Sequence, residues 1–137
     1  MENKELLEYK TDFYYIKVDK ALNLILIRPI GFWGSDSDVS DYLPTITHAL
    51  DNELKDGFNV ICDLAQMKSA SKEIRDNIHA QAGLEVLKRN VSTTVIVSPE
   101  SAITRMQIEA MRKAFVHKPI KQVDTAEQAY KYIQKRS

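Results

Sequence analysis

The segment NVICDLAQMKSASKEIRD, residues 59–76, passes from an apolar run into an acid, then through a serine-bearing loop into a helical pattern. Its first part belongs to FNVICDL, residues 58–64, a short apolar run preceded by Gly57, the pattern of a strand buried on both faces. Ile74, Ile78, Ala82 and Val86 then recur four apart, which marks the inner stripe of a helix. A doubly buried strand feeding a helix is the unit of a parallel α/β sheet, because parallel strands need a crossover of this length.

Upstream, FYYIKV at 13–18 sets Tyr14, Ile16 and Val18 against Phe13, Tyr15 and Lys17, a strand alternation. Asp19 and Lys20 begin a turn into ALNLILIRPI, 21–30, with Leu22, Leu24 and Leu26 on one face and Ile25 and Ile27 on the other. This hairpin ends near Arg28, since Pro29 cannot donate to a ladder. After GFWGSDSD, 31–38, the residues Val39, Tyr42, Leu43, Ile46, Leu50 and Leu54 keep helical spacing. With Ser40 as the N-cap, Pro44 falls in the opening turn; a kink at Pro44 is the alternative, and Gly57 lies past the end.

Downstream, Asn90 is the expected left-handed stop of the second helix. STTVIVS, 92–98, reads as a β-branched strand, and Ser98-Pro99-Glu100 opens a third helix with the inner stripe Ile103, Met106, Ala110 and Ala114. Residues 120–123 form a last strand, and DTAEQAYKYIQKR, 124–136, a last helix with Asp124 and Glu127 spaced as a capping box. The expected order is ββαβαβαβα: one α/β domain, with a mixed, mostly parallel sheet of about five strands flanked by four helices. Residues 1–10 are expected as a loose N-terminal segment.

A chain of 137 residues is long enough to bury roughly two-thirds of its unfolded surface in one core. Nineteen Lys plus Arg balance nineteen Asp plus Glu, so no global field draws nucleic acid or an anionic membrane. No apolar run approaches the ~20 residues that span a bilayer, and the charged stretch MENKELLEYK lacks the apolar core expected of a signal peptide. A soluble cytoplasmic protein is expected. Cys62 is the single cysteine and reads as a small buried hydrophobe.

The stretches FYYIKVDKALNLILIRPIG, VICDLAQM, VIV preceded by LKRN, and the closing DTAEQAYKYI make the chain, from about Thr11 onward, resemble the STAS domain family. Within that family the likeness is to SpoIIAA-like anti-sigma factor antagonists. The resemblance implies a non-enzymatic regulatory or protein-interaction domain, binding a protein partner through the loop and helix after the core strand. Partner classes that follow are a regulatory kinase and an anti-sigma-like protein, and a homodimer is a further expectation. Family antagonists carry a phosphorylated serine or threonine in an Asp-Ser-Ser-Gly-like loop. Here Asp63-Leu64 match the strand ending, but AQMKSASKEI follows, with Ala70-Ser71-Lys72 near that element's place and no glycine. Stand-alone SpoIIAA-like domains sharing this loss are related to lipid-binding modules, which makes small-ligand or lipid binding the alternative function.

The candidate phospho-acceptor or partner-binding residues are accordingly Ser69, Ser71, Lys68, Lys72 and Asp63. An N-cap role, worth about 1 kcal/mol, accounts for one serine without any function, and a turn-ordering role accounts for Asp63. The two lysines favour a phosphate at a helix start. Phe32 and Trp33, between two glycines, are the candidate ligand or interface aromatics; the plainer account has one of them folding back as a lid. His48, His79 and His117 lack a second ligand at metal spacing, so neither a metal site nor a cofactor is expected. Met106 and Met111 read as core filling. Without a phosphate loop, a nucleophile elbow or a supported nucleophile, an enzyme is not expected.

Overall fold

The computed structural model describes residues 6–68, 71–98 and 120–136. Six strands form one mixed sheet in the spatial order of the sequence. They are β1 (Leu6–Lys10), β2 (Tyr14–Asp19), β3 (Leu24–Pro29), β4 (Phe58–Asp63), β5 (Val91–Val97) and β6 (Ile120–Val123). The first three run antiparallel as a meander, and β3 through β6 are parallel neighbours. A 3-10 turn (Asp36–Val39) leads to helix α1 (Tyr42–Asn52) between β3 and β4. Between β4 and β5 runs α2, residues 72–87, built from Lys72–Ile74, a π-turn (Arg75–His79) and Ala80–Leu87. Helix α3 (Ala126–Arg136) follows β6.

The alternation along each strand decides which helix covers which face. Tyr14, Ile16, Val18, Ile25, Ile27 and Val60 point toward α1 and α2, which supply Tyr42, Ile46 and Ala49 and then Ile74, Ile78, Ala82 and Val86. Leu24, Leu26, Ile61, Val95 and Val97 face the other way, onto Ala129 and Ile133 of α3. In β4, Val60 and Ile61 are both fully buried on opposite sides, as the apolar run 58–64 requires. Truncating either to alanine removes about 2–5 kcal/mol, because both layers are close-packed around them.

Several expectations change. The sheet has six strands rather than about five, because Leu6–Lys10, expected to be loose, pairs antiparallel with β2. Its alternation is half hidden by charge: only Leu7 and Tyr9 pack on the core, as suits an edge strand covered on one side. The Tyr9 hydroxyl donates to Glu53 just past α1 and fastens the edge. The β2–β3 turn closes on Asn23, the only non-glycine with positive φ (50°) among the described residues, while the expected left-handed Asn90 is not one. The Asn23 carboxamide both accepts from the Lys55 amide and donates to its carbonyl, locking the turn to the entry of β4.

Asp41, not Ser40, occupies the N-cap of α1, and Pro44 does lie in the opening turn. The cap of α3 shifts by one residue. Thr125 accepts from the Gln128 amide while the Gln128 side chain accepts from the amides of Asp124 and Thr125, a capping box at 125/128 rather than 124/127. The expected helix with the stripe Ile103, Met106, Ala110 and Ala114 lies outside the described residues, as do Ser69, Met111 and His117. Among the described residues no helix is long and apolar enough to cross a membrane.

Candidate functional site

The carboxyl ends of β3 and β4 lie side by side, and in open α/β sheets this is the edge where ligands and partners are met. Asp63 ends β4. Its carboxylate receives the Arg28 Nε–H at 2.8 Å and the Ala65 amide at 3.2 Å, so it both pins the end of β3 and orders the turn that follows. The Asp63 side chain is only 5% exposed, against 26% for Arg28. A carboxylate so far from water persists because it is paired and hydrogen-bonded. Its turn-ordering role agrees with the sequence reading; the Arg28 pairing joins residues 35 apart and has no local signal.

Beyond the strands, the two candidate regions meet. Gly31 and Met67 form an isolated parallel bridge. The Gly31 amide donates to the Gln66 carbonyl at 2.9 Å, and the Lys68 amide donates to the Gly31 carbonyl at 2.9 Å. Gly31 has φ of 72°, a left-handed conformation that a side chain would strain. Met67 is 2% exposed and packs with Leu64 and Ile96, anchoring the turn from below. The loop after the core strand is thus held as an extension of the sheet up to Lys68, whose side chain is exposed.

Ser71 is exposed, and its hydroxyl accepts from the Ile74 amide at 3.2 Å, the N-cap role expected for it. Lys72, also exposed, follows as the first helical residue.

Phe32 and Trp33, adjacent in sequence, part company. Phe32 is 57% exposed and lies over Gly34, where an added Cβ would come within 2.9 Å of its ring. Trp33 is 1% exposed, and its indole N–H donates to the carbonyls of Phe13 (3.0 Å) and Ile30 (3.1 Å). Its ring stacks on His79 at 4.6 Å and meets the edge of Tyr42 at 4.8 Å. Trp33 is therefore the residue that folds back, and Phe32 the one left at the surface.

A lone histidine without metal spacing is ordinarily exposed or half-buried, but His79 is not. It is buried instead, because the π-turn carries one extra residue per turn and brings His79 inward beside Ile78. Burial lowers its pKa to about 4 and keeps it neutral at ordinary pH. Cys62 is half-buried, and burial first, then the Asp63 charge beside it, pushes its thiol up to about 11. Such a thiol is a poor nucleophile.

On the α3 side of the sheet, a groove of about 450 Å³ is lined by Lys10, Lys17, Arg28, Gln66 and the rings of Tyr15 and Tyr130. Lys17 sits 4.6 Å over the Tyr130 ring, and Arg28 5.2 Å over Tyr15. Gln66 connects this cationic groove to the Gly31–Met67 bridge. Among the described residues no group of three or more His, Cys, Asp or Glu side chains could hold a metal ion. A scan against protein-family models and searches of curated proteins and of solved structures find nothing that matches the chain.

Proposed function

We propose that this chain is a non-enzymatic protein-interaction domain of the SpoIIAA-like kind, docking its partner on the edge formed by Phe32, Met67, Lys68 and Ser71. The observation that carries the reading is the Gly31–Met67 bridge, which joins an exposed aromatic to an exposed cation on one fixed strip of backbone. An aromatic held in place loses little freedom on binding, which is the property of an interface anchor. The adjoining groove, with Lys10, Lys17 and Arg28, fits an acidic segment of that partner. Ser71 is the phospho-acceptor in this reading: a partner kinase adds charge at the rim of the docking edge and weakens the complex. A cytoplasmic setting fits the lone Cys62, which has no second cysteine to pair with.

The test is photo-crosslinking with a benzophenone side chain at position 32 in the source cell, with Phe32→Ser and Lys68→Glu as untagged competitors. Each competitor should fail to displace the crosslinked protein that wild type displaces. Leu84→Ser, altering another exposed apolar residue on α2, should displace it like wild type. Displacement by all variants alike would place the interface elsewhere.

A further inference from the structure

Beneath α2, on the α1/α2 side of the sheet, lies a cavity of about 110 Å³ whose walls include Ile27, Val60, Leu64, Met67, Ala82 and Ile96. It shares Met67 with the docking edge, but no step of the docking proposal uses its interior. Four groups bring polarity to its lining: His79, Tyr42, Cys62 and Thr94. No Lys, Arg, Asp or Glu is among the described residues that line it. His79 is 8% exposed, and its Nε2 is buried without a hydrogen-bond partner among the described residues. An orphaned ring nitrogen costs free energy in an apolar setting and calls for an explanation. The imidazole is held in place by its stack on Trp33, which is itself fixed by two carbonyls.

We infer that this cavity is a binding site for a small, neutral, mainly apolar molecule of about one aromatic ring, with a single hydroxyl that pairs with His79 Nε2. Each property has its own warrant. Size follows from the volume, since an engineered apolar cavity on the order of 150 Å³ accommodates benzene. Neutrality follows from the described part of the lining, in which no side chain offers an opposite charge to a desolvated ion. The hydroxyl follows from Nε2, because an O–H both donates and accepts and so satisfies either imidazole tautomer. An apolar pocket with a few convergent polar groups is the usual form of a small-molecule site.

The experiment is an NMR titration of the 15N-labelled full chain with phenol and, in parallel, toluene, read at the amides of Leu64, Met67 and Ala82. Phenol should bind saturably and at least about tenfold more tightly than toluene, which fills the space but leaves Nε2 unpaired. His79→Phe keeps an aromatic ring against Trp33 and should abolish the preference for phenol. Ala82→Met should fill the cavity and weaken both probes, while Phe32→Ser and Lys68→Glu should change neither. No saturable phenol shift, or equal affinity for phenol and toluene in the wild-type chain, would overturn the site whether or not the variants fold. Phenol shifts that survive Ala82→Met undiminished would do the same.

Discussion

Phe32 and Trp33 are neighbours in the chain with opposite fates. Trp33 has a polar handle that two backbone carbonyls satisfy and a large ring that His79 and Tyr42 receive. Phe32 has no such handle and stays 57% exposed over Gly34. The turn at Gly31 sends one ring inward and leaves the other on the sheet extension that holds Lys68. A single loop therefore carries one residue that keeps the fold and one that the fold leaves exposed, the one the proposed docking uses.

The difference is broken most severely from the inside. Trp33→Ala should lower stability by about 3–5 kcal/mol, since it empties a close-packed site and leaves His79 without its stacking partner. Denaturant unfolding measures it. Phe32→Ser should change the same unfolding free energy by no more than about 0.5 kcal/mol. Comparable losses at the two positions would erase the distinction.

Acid probes the same interior. In the unfolded chain His79 titrates near 6.5, and in the folded chain near 4, so between those values the unfolded state binds the extra proton. The stability that neutral burial preserves is complete above about pH 6.5 and is lost as pH falls toward 4, by roughly 3 kcal/mol at most. Urea melts across this range should show the slope, and His79→Phe should flatten it. An unchanged slope in that variant would mean that His79 is not the group responsible.

Between interior and edge stands the Arg28–Asp63 pair. Asp63→Asn keeps the shape but removes the charge that holds Arg28, and should cost on the order of 1–2 kcal/mol, because Arg28 reaches solvent and recovers part of its hydration. At the rim, Ser71→Ala should cost about 1 kcal/mol or less through the lost cap bond to Ile74. Thermal melts rank the two; a larger loss at Ser71 than at Asp63 would reverse the gradient from buried strand end to exposed rim.

The sequence was readable wherever a local period decided the outcome. Alternation separated Tyr14, Ile16 and Val18 from Tyr15 and Lys17, and Leu24 and Leu26 from Ile25 and Ile27, and the stripe from Ile74 to Val86 found the inner face of α2. Strand β1 escaped because an edge strand needs only Leu7 and Tyr9, too few to stand out among charges. His79 escaped because a period of 3.6 does not anticipate a π-turn. The Gly31–Met67 bridge joins two loops through backbone groups alone, and no side-chain pattern announces such a pairing. For the same reason the sequence could name Phe32 and Trp33 together but could not divide their roles.

Amide hydrogen exchange at Gly31 and Lys68 tests the joined edge most directly, because each amide donates across the bridge between the two loops. Both should exchange far more slowly than free peptide and gain or lose protection together when Met67→Ala loosens the anchor. Rapid exchange at both positions, as in unpaired surface loops, would contradict the single docking edge on which the functional reading stands.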